Sequence, residues 1–363
     1  MKGIATLEPR LSRSGKAILA APVVAIASAV LVLSIAFLAI GRSPLEALYY
    51  FFIAPFARVS GLGEVLLKMA PLLLIAQGLA IGFRARIWNI GAEGQFVVGA
   101  ILGSLLPIYF NTSNSPLFLP AMVVLGGVGG MAWAGIAALL RAQLNTNEVL
   151  VTLMLNSVAY QLLYYLVSGP LRDPSGFNFP QSVQFQDAAT FPQLISGMRV
   201  NSSIFIGLGA SLLAWFFVHR SLLGFKLRVC GAAPLAARYA GFSEKQAIWV
   251  SLLIGGCAAG IAGVGEVAGP LGQLQRVLSP GYGYSAIVVA FLGALDPRGI
   301  LLSSFLMAVI YVGGDLAQTA AGVSYAMTTV LLGVLLVTYL ATRLFVDYRV
   351  RFRGSEPSQG TVA

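Results

Sequence analysis

Apolar runs of about 20 residues recur along almost the whole of this 363-residue chain, and they constrain its fold more than any other feature. A helix of that length crosses a hydrocarbon core of about 30 Å, and only helices or closed barrels satisfy their backbone polar groups there. Ten such runs can be placed, at roughly 17–40, 64–83, 89–106, 118–140, 147–168, 202–219, 246–268, 284–296, 299–318 and 325–344. The alternating ten-residue strands of an outer-membrane barrel are not visible. Hydrophobic residues make up 58% and charged residues 10%, against about 25% charged in a soluble domain. The chain therefore reads as an all-α membrane protein with about ten transmembrane helices. Its first run is longer than the core of a signal peptide and reads as a retained helix.

The net charge of +10 sits at the ends of apolar runs, so topology explains it and nucleic acid is not expected. With residues 1–16 inside, 17 of the 23 Lys and Arg residues fall on the inner side, a strong positive-inside bias. Both termini are then cytoplasmic, and 17–344 forms the membrane domain. Residues 169–201 become an external loop, packed or solvated. Residues 220–245 become a cytoplasmic loop with five basic residues, and 345–363 a cytoplasmic tail. Cys230 and Cys257 offer neither a disulfide framework nor metal-ligand spacing. His219 stands alone at the end of an apolar run. No phosphate-binding loop occurs, so neither a catalytic residue nor a metal is expected in this chain.

The segment Ile87-Trp88-Asn89-Ile90-Gly91-Ala92-Glu93-Gly94-Gln95-Phe96 sets a carboxylate, amides and glycines at the mouth of an apolar run. Charge within a bilayer costs about 2.5–3.5 kcal/mol on insertion scales and marks cavities or pathways. Two readings of Glu93 are compatible. It is favoured at a helix start capped by Asn89, and with Gln95 it lines or gates a polar path. Glu266 and Asp315 are the other carboxylates within apolar runs. Asn156, Gln161 and Gln77 suit hydrogen bonds between helices. Small-xxx-small pairs at Gly126/Gly130, Gly256/Gly260 and Gly265/Gly269 suit close helix packing, within the chain or against a partner. Sliding the chain by 190 residues superposes Arg86 on Arg276, Gly91 on Gly281, Val98 on Val288 and Gly103 on Gly293. This is a weak repeat whose two copies would be inverted, a common transporter plan.

In the inner loop, Gly231 to Gly241 predicts a short helix over Pro234–Tyr239, since proline suits a first helical turn and glycine the position past the end. Such a helix is either a surface connector or a docking knob for a cytoplasmic partner.

These residues resemble the permease subunits of ATP-binding-cassette importers, in the simple-sugar and nucleoside branch of the branched-chain-amino-acid-type permeases. Trp88 to Gln95 looks like the branch signature, and Asn147 to Asn156 is similar to a second family stretch. Gly231 to Gly241 looks like the cytoplasmic coupling segment, with Ala233 where the family usually has asparagine. The resemblance runs from about Leu66 to Leu344 and implies the fold of the second class of importers, with inverted repeats, in a bacterial cytoplasmic membrane. It implies a second related permease in a heterodimer, cytoplasmic ATPases (often fused) that hold ATP and magnesium, and an external substrate-binding lipoprotein. Gly231, Pro234, Ala236, Ala237, Arg238, Tyr239 and Gly241 would couple to the ATPase. Asn89, Glu93, Gln95, Asn156 and Glu266 would be path or gate candidates. Nucleosides are the expected cargo and sugars the alternative. A stand-alone transporter coupling protons through Glu93, Glu266 or Asp315 is a rival of another class.

Overall fold

The computed structural model describes residues 5–9, 15–39, 41, 43–110, 115–195, 197–322, 324 and 326–352. The tail 354–363 lies outside them, as do Lys2, Arg10, Arg13, Arg42 and Arg353 of the charge count and the boundary residues Ile40 and Tyr325.

A strand β1 (Ala5–Pro9) leads into α1 (Gly15–Ala39) and a short α2 (Pro44–Leu48). Then come α3 (Val59–Arg84), α4 (Ala92–Tyr109), α5 (Phe118–Leu144), α6 (Glu148–Ser168) and α7 (Ser203–Arg220). Two short helices, α8 (Leu222–Ala232) and α9 (Pro234–Tyr239), precede α10 (Glu244–Glu266). The chain closes with α11 (Tyr282–Leu292), α12 (Pro297–Ala321), α13 (Ala326–Asp347) and strand β2 (Tyr348–Phe352). Each of the ten expected runs falls on a helix. Seven helices among the described residues are long and apolar enough to cross a membrane, and the apolar stretches of α1, α11 and α13 are shorter.

The chain divides into two compact units, one of residues 1–49 with 323–363 and one of residues 50–322. In the first, α1 packs on α13, with Ala25, Ala29, Leu33 and Phe37 buried at four-residue spacing on one edge of α1. Its strands β1 and β2 pair antiparallel, Ala5 opposite Phe352 and Pro9 opposite Tyr348. No sequence feature had pointed to this pairing.

The second unit is built around backbone-to-backbone contact of α4, α5 and α10. A Cβ on Gly130 would lie 2.0 Å from the Gly256 carbonyl oxygen, and one on Gly260 2.1 Å from that of Gly126. A Cβ on Gly99 would lie 2.2 Å from Cα of Gly260. Small residues admit such approach, and dispersion between close backbones holds helices together where lipid competes for apolar contact. The pairs Gly126/Gly130 and Gly256/Gly260 thus serve packing within the chain. Loop 169–201 is packed too: Ser182 and Phe185 donate to the carbonyls of Leu274 and Gly272, both at 2.8 Å, and Phe191 to that of Ala268 at 2.7 Å.

Candidate functional site

Two helices of the second unit start from irregular lead-ins. Residues 85–91 precede α4 and 272–281 precede α11. At about 1.5 Å per residue, the 11 residues of α11 span only about half of a hydrocarbon core. The two starts repeat one design at an offset of 190 residues. Asn89 Oδ1 accepts from the Gly91 amide at 2.9 Å, and its equivalent Ser279 Oγ accepts from the Gly281 amide at 2.9 Å. Gly91 and Gly281 are the N-cap residues, and Gly281, with φ +96°, adopts a backbone that favours glycine.

The next equivalents, Glu93 and Gly283, meet. The Gly283 amide donates to Glu93 Oε2 at 2.6 Å, and a Cβ on Gly283 would lie 2.3 Å from the Glu93 nitrogen. The Tyr160 hydroxyl donates to Glu93 Oε1, also at 2.6 Å. Glu93 is fully buried. One carboxylate thereby serves two helix N-termini, its own and that of α11, where backbone dipoles favour negative charge.

Helix α6 holds the α4 lead-in with a polar residue at every fourth position, one face of the helix. The Trp88 amide reaches Glu148 Oε1 at 3.5 Å, and the Ile90 amide donates to Thr152 Oγ1 at 3.2 Å. The Gly94 amide donates to Asn156 Oδ1 at 2.8 Å, and Asn156 Nδ2 donates to the Ile90 carbonyl at 2.9 Å and the Tyr284 hydroxyl at 3.0 Å. Tyr160 completes the row at Glu93. Asn89 and Gln95 exchange two amide hydrogen bonds, at 2.9 and 3.0 Å. At the start of α6, Asn147 caps by accepting from the Val149 amide, and Arg141 pairs with Glu148 at 3.2 Å.

The α4 lead-in is also gripped at its arginine-rich end. Arg84 donates to the Leu295 carbonyl through Nε (2.9 Å) and Nη2 (2.6 Å). Arg86, Ala294 and Leu295 all have positive φ, and strain of this kind gathers at functional sites. A Cβ on Gly231 of α8 would lie 2.0 Å from the Arg84 carbonyl oxygen, so α8 rests on backbone just ahead of the Trp88–Gln95 segment. The following helix occupies Pro234–Tyr239, the span its proline and glycines predict. Gly241 ends it with φ +74°, while the Phe242 amide donates to the Ala237 carbonyl at 2.9 Å. Leu235, Ala236, Arg238 and Tyr239 are exposed, Tyr239 at 95%, whereas Ala237 is buried. Beneath α9 lies a cavity of about 170 Å³ lined by Arg86, Arg141, Glu148, Cys230 and Ala237.

Of the candidates read from sequence, Asn89, Glu93, Gln95 and Asn156 come together. Glu266 stands apart, with Lys68, Arg199 and Glu64 as its charged neighbours. Asp315 pairs with Lys68 at 3.4 Å. Gln77 hydrogen-bonds between helices, its Nε2 donating to Ser211 Oγ and the Pro297 carbonyl, both at 3.0 Å. Tyr160, Thr152, Ser279 and Gly283 were missed in the sequence. The four-residue spacing of Glu148, Thr152, Asn156 and Tyr160 was the available signal. Among the described residues, no group of three or more His, Cys, Asp or Glu side chains is placed to hold a metal ion.

Membrane-crossing helices, two helix starts meeting at a buried carboxylate and a short exposed helix beside the α4 lead-in suit a transport permease. The chain belongs to the family of branched-chain amino acid transport system permease components, whose model matches residues 61–340. It is 32% identical to the glucose ABC transporter permease protein TsgB13 of Haloferax volcanii, over 95% of this chain and 93% of that protein. It is 27% identical to the guanosine ABC transporter permease protein NupP of Bacillus subtilis, over 82% and 84% of the two chains. Identity to the nucleoside ABC transporter permease protein NupB of Lactococcus lactis is 29%, over 80% and 82%. A solved structure of PsaBC from Streptococcus pneumoniae aligns at 11% identity, covering 79% of this chain and 91% of that one, with a TM-score of 0.43, too slight a likeness to argue from. The protein is a multi-pass membrane permease of an ABC importer, working with ATPase and substrate-binding subunits. ATP hydrolysis belongs to the ATPase subunits, and this chain is not an enzyme.

Proposed function

We propose that this permease carries nucleosides and that the junction of α4 and α11 gates their path. The observation that carries the gate is the Glu93–Gly283 hydrogen bond: separating the two helix starts breaks it and opens buried polar backbone to a solute. Asn89, Gln95 and Asn156 hold the junction closed around Glu93. Glu266, away from it beside Lys68 and Arg199, is a second polar station on the path. The nucleoside reading is supported by relatives named for guanosine and nucleosides. The relative named for glucose, at 32% identity over nearly the whole chain, favours sugar as a second reading.

Both termini and α8–α9 face the cytoplasm of a bacterial cell in this proposal, and loop 169–201 faces outward. A related permease completes a heterodimer, a double-domain ATPase with its ATP and magnesium docks on α9, and a lipoprotein delivers substrate from outside. Leu235, Ala236, Arg238 and Tyr239 form the docking face. Gly231, Pro234, Ala237 and Gly241 shape the helix and seat it on the α4 lead-in. ATP-driven closure of the ATPases then moves α9, and Gly231 passes that motion to Arg84 and the junction.

The test is uptake of labelled nucleosides and hexoses by cells with and without the gene, before and after ATP depletion at constant membrane potential. Gene-dependent nucleoside uptake that stops with ATP is expected. Hexose uptake alone would transfer the cargo to sugars, and uptake that follows the proton gradient after ATP is gone would overturn the ATP-driven mechanism.

A further inference from the structure

We propose that the slot between α7 and α10 holds an acyl chain of an anionic phospholipid, whose phosphate head sits beside Arg220 and Lys226 at the start of α8. This site lies outside the transport reading and requires only that the chain cross a membrane.

Helices α7 and α10 both pack on α3 and leave a cavity of about 530 Å³ between them. Leu74 and Ile81 of α3 floor it, Leu213 and Phe217 of α7 form one wall, and Ile254 and Cys257 of α10 form the other. Leu213 and Phe216 at its rim are 70% and 59% exposed, so the slot opens on the outside of the bundle. It follows α7 from Ala210 to the C-cap Ser221, about 16 Å of helix. Its volume over that length gives a mean width of about 6–7 Å, against about 10–12 Å for a helix with its side chains. A helix of a partner subunit is too wide to enter, whereas a hydrocarbon chain fits and supplies the dispersion contacts the lining lacks.

Polar occupants find little to bind. Besides the Cys257 thiol, a weak donor, the polar side chains along the slot are Gln77 and Ser221. Gln77 Nε2 donates both of its protons, to Ser211 Oγ and the Pro297 carbonyl, and the Ser221 hydroxyl donates to the Phe217 carbonyl at 2.6 Å. Gln77 Oε1 is buried, out of reach of a solute. A nucleoside or a hexose in the slot would leave most of its hydroxyls unpaired.

The Ser221 end of the slot is cationic. Arg220 precedes Ser221 and is exposed, and Lys226 follows on α8, its ammonium 5.5 Å from the centre of the Phe242 ring. Among the described residues neither forms an ion pair. Ser221 is also the N-cap of α8, where backbone dipoles favour an anion. Leu222 and Phe225 beside these cations are exposed, and such a mixture of apolar and basic residues places a helix at headgroup level. A phosphate there brings its acyl chain to the mouth of the slot. Residues 220–245 carry five basic residues against Glu244 alone, which favours an anionic head over a zwitterionic one. The lipid braces α8, which rests through Gly231 on the Arg84 carbonyl.

The experiment uses the assembled transporter, with its ATPase and substrate-binding subunits, in vesicles of phosphatidylcholine with or without phosphatidylglycerol. In a Cys230→Ala background, labelling of this chain by a small lipophilic maleimide reports on Cys257 in the slot. Phosphatidylglycerol is expected to slow that labelling about fivefold or more, and Arg220→Ala with Lys226→Ala to remove the protection. Native mass spectrometry of the detergent-extracted complex should show a retained phosphatidylglycerol that is lost when Ala210→Trp fills the slot. The two exposed-cation changes keep the test standing should Ala210→Trp fail to assemble. Labelling that ignores phosphatidylglycerol overturns the proposal, because the slot then takes bulk lipid without choosing a head. Protection that survives complete delipidation overturns it as well, because a partner subunit then covers the slot. Neither result touches the permease reading, which is tested by uptake.

Discussion

The amide of Gly283 donates to the carboxylate of Glu93 at 2.6 Å, and the two residues are 190 positions apart, the offset that also superposes Asn89 on Ser279 and Gly91 on Gly281. Positions that the 190-residue offset makes equivalent thus touch each other, as residues beside a pseudo-two-fold axis would. The weak sequence repeat and the transporter plan of inverted halves meet at this contact.

Glu93→Gln keeps the shape and turns one of the two acceptor oxygens into an N–H donor that faces either the Gly283 amide or the Tyr160 hydroxyl. Since a buried donor left without a partner costs about 1–3 kcal/mol, uptake is expected to fall about tenfold or more at an unchanged amount of protein in the membrane. Quantitative immunoblotting beside the uptake assay checks this; a fall in protein alone would leave Glu93 as a structural cap.

Gly283→Ala places a methyl group where the structure allows 2.3 Å to the Glu93 nitrogen. Overpacking costs about 1–3 kcal/mol, and here it forces the two helix starts apart. Lost uptake together with a lowered thermal midpoint in detergent is expected.

Gly260→Ala should destabilise the second unit by about 1–3 kcal/mol through its contact with Gly126. Gly209→Ala on α7, with nothing within 4 Å of the added carbon, should be neutral or stabilising by about 0.4–1 kcal/mol. Paired thermal melts of the two variants decide the matter.

On α9, Tyr239→Ala and Arg238→Glu alter exposed side chains and should abolish substrate-stimulated ATPase activity of the complex without lowering the thermal midpoint of the permease. Ala237→Glu differs, because Ala237 is 2% exposed. It drives a charge into the packing under the knob and should reduce folding as well.

Burial, with a further push from Glu244, raises the Cys230 thiol above its ordinary value. The thiolate is the reactive form, so labelling of Cys230 should be slow at neutral pH and still climbing at a pH where a free thiol has levelled off. A flat profile from neutral pH upward would contradict this environment.

The helices were legible because runs of apolar residues leave a bilayer-crossing chain few alternatives. Pro234 and Gly241 marked α9 to the residue, since each suits one end of a helix for a local reason. The contact of Glu93 with Gly283 was not legible, because it depends on two distant lead-ins both folding back. Neither was the inward turn of Ala237, which is set by what lies beneath the helix. The packing role of Gly126, Gly130, Gly256 and Gly260 was readable as one of two alternatives, and only the facing backbones choose between them. Glu266 was grouped with Glu93 because both sit among glycines, yet Lys68 and Arg199 on other elements define its surroundings.

Each helix start at the Glu93 junction has its own handle at an opposite end of the bundle. The α4 lead-in is held by α8 through Gly231, and the α11 lead-in by loop 169–201 through Ser182 and Phe185. A disturbance at either end thus reaches the same pair of atoms by a separate route. In the proposed gate the junction would act as a coincidence detector, comparing the contacts made by α8 and by loop 169–201 at a single hydrogen bond.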